Sequence, residues 1–277
     1  VILKDLAPFV PALSRFEEPL DLNLVFSGHG KHLDCPTLRL TNHHGLMIAG
    51  EAALSNWDAG MDMYIYGKLG NLTMTKEGIN VLMTNLTGKV PPILQRLDYI
   101  RFNGEAAGYL HDLTLTGLFH TGAGMVKTDV MMSIDEQSMS RTYSGSVASA
   151  DLDLGKLLNQ EKKFGKVDFN VELKGFNYKN RYPESYIKGI ISSFEYSQYQ
   201  YENIMLDGVY KDGGFNGRLS MDDANGSVQI DGNFNVAKTI PDFNLKASVK
   251  NLRPHDLHLS DKYENASISL GLTADFT

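Results

Sequence analysis

Apolar and polar residues alternate almost without interruption between residues 203 and 249. Val228, Ile230 and Phe234 fall on one parity, whereas Gln229 and Asp231 fall on the other. Successive side chains of a β-strand point to opposite faces of its sheet. The alternation therefore predicts strands that have one apolar and one polar face.

Short clusters of turn residues separate the alternating stretches, at residues 212–214, 222–226 and 240–242. They are rich in Gly, Asp, Asn and Pro, which supply the positive or fixed φ angles that a chain reversal requires. The unit of strand, short turn and strand recurs through most of the chain. We therefore predict an all-β fold built on an elongated antiparallel sheet, which must fold on itself, close into a barrel or leave a groove along its apolar face.

Three segments depart from the alternation and predict short helices, near residues 5–14, 75–98 and 155–164. Apolar residues in them recur at the spacing of a helical face. Pro91 and Pro92 fit the first turn of a second helix inside the middle segment. We expect the buried face of the third helix to consist of Leu157, Leu158 and Phe164.

Other local patterns give predictions that the structure can check. Met61 is expected to begin a strand, and Cys35 is expected to lie in a turn beside Pro36. Residues 178–186 are expected to form a loop or a helical turn, with a strand resuming at Phe194.

The domain organisation has few markers in the sequence. No change in composition and no Ser/Gly-rich linker divides the chain, so residues 1–277 are predicted to form one elongated body, with a possible subdivision near residues 150–165. The sequence begins at Val1 without an initiator Met or a signal peptide. We therefore expect it to be a piece of a longer protein, and we expect any membrane anchor or export signal to lie outside these residues.

Charge and cysteine content narrow the range of functions. The formal net charge of −7 argues against nucleic acid as the main partner, because phosphate binding requires a basic surface. The single cysteine excludes an intrachain disulfide and a cysteine-based zinc site.

Two clusters contain residue types that bind metals. His255, Asp256 and His258 could contribute to a zinc site, but zinc needs further ligands in a closed geometry. Asp222 and Asp223, with Asn225, could hold calcium, but these residue types also form ordinary hairpin turns. We favour exposed loop histidines in the first case and a turn in the second, and we predict no metal and no cofactor.

Catalytic motifs are equally sparse. Asp151 and Asp153 alternate along a predicted strand and are expected to face solvent, and no pair of carboxylates has the arrangement of a glycosidase site. No Gly-x-Ser-x-Gly turn follows a strand. The sequence therefore predicts a protein without enzymatic activity.

The apolar face of the sheet is the main candidate site. An antiparallel sheet normally covers such a face with a second layer, and this chain has few helices to do so. A groove along the face could hold acyl chains or an unfolded β-strand, whereas a fully closed core would leave no room for a ligand; both alternatives remain open. The predicted groove residues are Val228, Ile230, Phe234, Val236, Phe243, Leu245, Val249, Ile268, Leu270 and Leu272.

Six segments, taken in order, form a set of structural motifs. They are Asp5-Leu-Ala-Pro-Phe-Val-Pro-Ala-Leu13, Tyr143-Ser-Gly-Ser-Val-Ala-Ser-Ala-Asp-Leu-Asp-Leu-Gly-Lys-Leu-Leu158, Ile191-Ser-Ser-Phe-Glu-Tyr196, Asn203-Ile-Met-Leu-Asp-Gly208, Phe215-Asn-Gly-Arg-Leu-Ser-Met-Asp-Asp223 and Asn251-Leu-Arg-Pro-His-Asp-Leu-His-Leu259. This ordered set resembles the periplasmic part of TamB-type proteins of Bacteroidetes, which belong to the AsmA-like superfamily, and the resemblance covers nearly the whole chain.

This resemblance implies a large protein that is anchored in the inner membrane and spans the periplasm of a Gram-negative bacterium. It implies a long sheet, folded over along its length, with an apolar groove inside. The associated functions are outer-membrane protein assembly and phospholipid transport between the two membranes. The implied partners are phospholipid acyl chains, strands of outer-membrane proteins and an outer-membrane assembly partner.

Three alternatives to a conduit also fit an all-β chain. An outer-membrane β-barrel would also alternate, but it requires strands of regular length with an outward apolar band, and the helical segments argue against it. A carbohydrate-active β-protein would require convergent carboxylates or a metal site. A structural β-module with a closed core is the third alternative.

Overall fold

The computed structural model describes the whole chain except residues 1, 7–13, 16–18, 136, 139, 178–183, 236–241, 263–265 and 277. The chain divides into two compact units, which are residues 1–129 and residues 130–277. The division falls within a strand, Gly124–Ile134.

The predicted all-β class is confirmed, because antiparallel strands account for most of the chain and the helices are few and short. In both units, strands that follow one another along the chain also pair in the sheet. Such pairing needs only short connections, which is why turn residues recur throughout the sequence. The folding of the sheet over on itself stays a prediction.

Unit 1 contains six strands and the start of a seventh. Each of the first six strands pairs antiparallel with the next, and irregularities in register occur beside Gly50 and Gly70. The strands are β1 Asp21–His29, β2 His32–Thr41, β3 Leu46–Ser55, β4 Tyr64–Thr75, β5 Tyr99–Tyr109, β6 Asp112–Thr121 and β7 Gly124–Ile134.

The predicted helical segment near residues 75–98 is confirmed as two helices, α1 Lys76–Thr87 and α2 Pro92–Gln95. The Thr75 side chain caps α1 by accepting a hydrogen bond of 3.2 Å from the Gly78 amide. Gly88 ends α1 with a φ of 77°, a conformation that glycine adopts without steric cost.

The core of unit 1 lies where these helices meet the sheet. Ile79 of α1 is almost fully buried, and Leu97, Ile100 and Phe102 are also buried. Phe102 stacks against Phe119 on the neighbouring strand, with ring centroids 4.5 Å apart. The helices thus cover one end of the apolar face of this unit.

Near the N-terminus, a short 3-10 helix spans Leu3–Leu6, and the rest of the predicted helical segment lies largely outside the described residues. Two other predictions for unit 1 are wrong. Met61 lies in a 3-10 helix, Gly60–Asp62, and β4 begins only at Tyr64. Cys35 lies within β2, where the register shifts between Cys35 and Leu38, so Pro36 is accommodated by an irregular strand and not by a turn.

Unit 2 continues the same antiparallel pattern through eight more strands. Two-residue turns at Asp212-Gly213 and Ala224-Asn225 connect three of them, which confirms the turns predicted there. The predicted turn at residues 240–242 lies mainly outside the described residues. The strands are β8 Arg141–Asp153, β9 Phe164–Asn177, β10 Glu184–Tyr196, β11 Tyr199–Lys211, β12 Gly214–Asp223, β13 Gly226–Asn235, β14 Asp242–Leu252 and β15 Ile268–Phe276.

The predicted third helix is present, but it is shorter and begins earlier, as α3 Leu154–Leu158. Asp153 caps it, since its carboxylate accepts a hydrogen bond of 2.8 Å from the Lys156 amide. The predicted buried face is wrong: Leu158 is 44% exposed, Gly155 is the buried residue, and Phe164 already belongs to β9.

The aromatic segment also differs from prediction. Glu184 begins β10, so the strand resumes ten residues before Phe194. Tyr186 therefore lies in a strand, and residues 178–183 are outside the described part of the chain.

Candidate functional site

The cross-strand register of unit 2 arranges the apolar residues in straight rows. Val228 of β13 pairs with Met221 of β12 and with Val249 of β14, and Val249 pairs in turn with Leu270 of β15. Directly paired residues of an antiparallel sheet share a face, so one parity of the sequence becomes one continuous surface.

Two of these rows cross seven strands or more, from β8 or β9 to β15, and consist almost entirely of aliphatic and aromatic residues. We call the surface that they form the apolar face of unit 2. The first row is Phe169, Ile191, Ile204, Met221, Val228, Val249 and Leu270, and the second is Val147, Val171, Gly189, Leu206, Leu219, Ile230, Ala247 and Leu272.

The apolar face is only partly covered. Its side chains from β9 to β14 are half-buried, and those of β15 are more exposed, with Leu270 at 46% and Leu272 at 50%. Within the described part of unit 2, the only helix is α3, which contacts β9. No helix of this unit therefore shields the rows in the way that α1 shields part of unit 1.

Three glycines form a strip without side chains across the middle of the apolar face. Gly208, Gly217 and Gly232 pair in succession on β11, β12 and β13. The Phe215 ring lies over one end of the strip, since its Cζ would be 2.6 Å from a Cβ placed on Gly208. Beyond Gly232 the row continues with Leu245. The strip leaves a gap between rows of larger side chains, and the Phe215 ring covers this gap at Gly208, which is buried.

The predicted groove residues are placed as follows. Val228, Ile230, Phe243, Leu245 and Val249 lie on the apolar face, half-buried. The backbone register puts Phe234 opposite Phe243, and Val236 lies outside the described residues. The three residues of β15, which are Ile268, Leu270 and Leu272, pair with residues of β14 and are exposed.

One end of the apolar face is closed by a small aromatic core. Tyr201 pairs with Phe194, which pairs with Val167, and both Tyr201 and Val167 are buried. Leu257, from the turn after β14, is fully buried at the same place. The Tyr201 hydroxyl donates a hydrogen bond of 2.7 Å to the Leu257 carbonyl oxygen, which fastens the turn to the sheet.

The opposite face of the same strands is polar. Charged residues of alternating sign pair across it, so that each carboxylate has a cation on a neighbouring strand. Lys188 Nζ lies 3.5 Å from Asp207 Oδ2, and Arg218 Nη2 lies 2.9 Å from Asp231 Oδ2. The row is Glu172, Lys188, Asp207, Arg218, Asp231 and Lys246.

Asp207 has the most interactions in this charged row. Tyr186 donates a hydrogen bond of 2.8 Å to its carboxylate, and this bond, with Lys188 and Arg218 nearby, holds the pKa of Asp207 below its usual range. The same hydrogen bond raises the pKa of Tyr186. Paired charges on a wet surface set the strand register more than they add stability.

The residues weighed as metal ligands have structural contacts. The ring of His258 donates from Nδ1 to the Ser197 carbonyl oxygen at 2.9 Å, and His255 lies beside Asp256. Asp223 accepts hydrogen bonds from the Asn225 amide and the Tyr199 hydroxyl, as expected of a hairpin turn. Among the residues that the structure describes, no three His, Cys, Asp or Glu side chains converge as metal ligands.

The two carboxylates that were expected to face solvent separate in the structure. Asp151 is exposed, with its carboxylate 3.0 Å from Lys166 Nζ, whereas Asp153 is half-buried as the cap of α3. The expectation is therefore wrong for Asp153. An Asp at the end of a strand, followed by Leu154-Gly155-Lys156, could have been interpreted as a helix cap.

The glycine strip was also missed. None of the sequence-based predictions considers how the glycines within strands are spaced. The signal lay in their spacing, because Gly208 and Gly217 are equally distant from the turn at Asp212-Gly213, and Gly217 and Gly232 from the turn at Ala224-Asn225. Residues equally distant from a two-residue hairpin turn pair with each other.

No family model, curated protein or solved structure matches this chain. In the described residues, no helix has the length and hydrophobicity needed to cross a membrane. The function must therefore be inferred from the surfaces described above, together with the resemblance carried by the sequence motifs.

Proposed function

We propose that this protein is a non-catalytic scaffold and conduit whose apolar face binds phospholipid acyl chains. It acts in the periplasm of a Gram-negative bacterium, as part of a longer protein anchored in the inner membrane. The apolar face of unit 2 supports the first statement, and the resemblance to TamB-type proteins supports the second.

The observation that carries the proposal is the continuity of the apolar rows. Each row runs perpendicular to the strands and crosses at least seven of them without a charged residue. Neighbouring strands are about 4.8 Å apart, so such a row is about 30 Å long. This length is comparable to the hydrocarbon thickness of a bilayer, and an acyl chain can lie along it without meeting a charge.

Burial alone gives such a surface useful affinity. Each methylene removed from water contributes about 0.8 kcal/mol. An acyl chain that has half of its surface against the apolar face can therefore bind without a specific polar contact. Since the two rows contain no charged residue and the charged row lies on the opposite face, binding is expected to depend weakly on the lipid head group.

A strand of an outer-membrane protein is the second candidate occupant. Gly217 and Gly232 have no side chains to cover their backbone, and extended chains have apolar side chains on one face that could contact the rows beside these glycines. The resemblance to TamB-type proteins, which are associated with outer-membrane protein assembly, is the reason to test this occupant.

In-cell photocrosslinking in the full-length protein tests the proposal. A photoreactive amino acid is placed at Leu245 or Leu270, on the apolar face, and in matched controls at Lys246 or Ser269, one position along the same strands. We expect phospholipid adducts from Leu245 and Leu270 and few from the controls. Adducts that contain outer-membrane protein instead would identify the second occupant.

Substitutions provide an independent check. Leu245→Glu or Leu270→Glu places a charge on the apolar face and should reduce lipid adducts at the other position. Removal of His255 or His258 should leave the adducts unchanged. If no inward position of the full-length protein yields lipid or protein adducts, the apolar face is a closed core and the conduit must be abandoned.

A further inference from the structure

A cavity of about 550 Å³ opens in unit 2, apart from the rows of the apolar face. Its volume falls in the range of small-molecule sites, about 300–1,000 Å³. The register pairs Lys174 with Tyr186 and Tyr186 with Val209. Lys174, Tyr186 and Val209 each lie two residues from a member of the charged row on the same strand, so they share its face. The cavity therefore lies on the polar face. The lining side chains that matter here are Met131, Lys174, Phe176, Glu184, Tyr186 and Val209.

The walls of the cavity are mainly apolar, although the surrounding face is polar. Phe176 is 41% exposed and Met131 is 44% exposed. Val209 is a further apolar residue of the cavity wall. Large apolar side chains that stay half in water, on a face otherwise occupied by charges, indicate a surface that a ligand could cover.

The charges at the cavity do not balance. Glu184 is neutralised by Lys211, whose Nζ lies 2.8 Å from its carboxylate, and the Tyr186 hydroxyl is already engaged with Asp207. Lys174 has no hydrogen-bond or ion-pair partner in the described part of the chain. One uncompensated positive charge therefore lies beside apolar walls.

We propose that this cavity binds a single-chain amphiphile with an anionic head group, of the class of long-chain carboxylates. The alkyl chain would lie against Met131, Phe176 and Val209, and the head group would pair with the Lys174 ammonium. A neutral alcohol of the same length lacks the ion pair, and a cationic amphiphile would be repelled. The site is separate from the proposed conduit and does not depend on it.

The test uses photoreactive dodecanoate, with the matching dodecanol and dodecyltrimethylammonium probes, on the purified 277-residue chain, with adducts mapped by peptide mass spectrometry. We expect dodecanoate adducts at Met131, Phe176 or Val209, fewer with dodecanol and fewest with the cation. Lys174→Gln should reduce the dodecanoate adducts at the cavity about fivefold, since a charge-assisted contact is lost, and leave the dodecanol adducts unchanged.

Matched variants control for indirect effects. Lys246→Gln removes a lysine of the same face outside the cavity and should change nothing. Phe176→Ser should lower both dodecanoate and dodecanol adducts, whereas Met205→Ser, at an exposed apolar residue outside the cavity, should lower neither.

The outcomes also separate this site from the conduit. Adducts at Leu245 or Leu270 report on the apolar face, and Lys174→Gln should not affect them. Equal labelling by the three probes, labelling confined to the apolar face, or a Lys174→Gln variant that labels like the wild type would each overturn the cavity proposal. None of these results would overturn the conduit, which the crosslinks from Leu245 and Leu270 test separately.

Discussion

Tyr201 and Leu257 lie fifty-six residues apart in the sequence and are joined by a hydrogen bond of 2.7 Å from the Tyr201 hydroxyl to the Leu257 carbonyl oxygen. Both residues are buried. The bond holds the turn that follows β14 against the end of β10 and the start of β11, so it closes one end of the apolar face.

Tyr201→Phe should destabilise unit 2 by about 1–3 kcal/mol, because it leaves a buried carbonyl oxygen without its partner. Leu257→Ala should cost about 2–5 kcal/mol, since it also leaves a cavity. Urea unfolding followed by tyrosine fluorescence measures both values. Leu259→Ala, at a residue that is 53% exposed in the same turn, is the control and should cost little. A Tyr201→Phe variant as stable as the wild type would mean that the turn is held by packing alone.

The polarity of the two faces is tested by a charge placed on each. Ile230→Asp puts a carboxylate among half-buried apolar neighbours, Leu219 and Ala247, and should cost several kcal/mol. Gln229→Asp puts the same group on the exposed parity and should cost less than about 0.5 kcal/mol. Thermal unfolding of the two variants makes the comparison, and equal stability would contradict the register.

The glycine strip gives a prediction about stability: Gly→Ala within the strip should destabilise the protein, whereas Gly→Ala at an uncrowded glycine outside it should not. A Cβ on Gly232 would lie 2.2 Å from the Asn244 carbonyl oxygen, and the φ of Gly232 is 144°, so Gly232→Ala should destabilise the protein by about 1–3 kcal/mol. Gly271 has no atom within 4 Å of such a Cβ, so Gly271→Ala should be neutral or stabilise by up to about 1 kcal/mol. Denaturant midpoints provide the measurement. A tolerated Gly232→Ala would show that the strands of the glycine strip can separate.

The parity of the apolar face could be predicted from the sequence because it is a local property. Val228 and Ile230 are two residues apart, and the pleat of a strand then puts them on one side whatever the neighbouring strands do. The turn at Asp212-Gly213 was predictable for the same reason, since Asp and Gly tolerate the positive φ angles, 51° and 79°, that this turn requires.

The closed end of the apolar face and the cavity depend on contacts between residues that are far apart in the sequence. Tyr201 meets Leu257 only after several hairpins have formed, and no local pattern indicates that contact. The cavity beside Lys174 likewise requires strands from β7 to β11 to be adjacent. Strand pairing also determined the structure at Phe164, against the local pattern. The sequence predicted a helix there, but Phe164 pairs with Tyr196 and therefore belongs to β9.

Tyr199 gives a prediction about alkaline pH. Burial and the hydrogen bond of 2.5 Å that its hydroxyl donates to Asp223 raise the pKa of Tyr199 to about 12. In the unfolded chain a tyrosine ionises near pH 10. Between these two pH values the folded protein keeps a proton that the unfolded chain has lost. The contribution of Tyr199 to stability is therefore complete below about pH 10 and is lost as the pH rises toward 12.

A spectrophotometric titration of phenolate absorbance, run on the wild type and on Tyr199→Phe, measures this group by difference. We expect the difference curve to have its midpoint near pH 12, and the variant to lose less stability than the wild type between about pH 10 and 12. Asp223→Asn removes the carboxylate that accepts the hydrogen bond but keeps the ring in place, so its midpoint should fall between the values of the unfolded chain and the wild type. A difference curve centred near pH 10 in the folded wild type would show that the Tyr199 hydroxyl is hydrated and not bonded to Asp223.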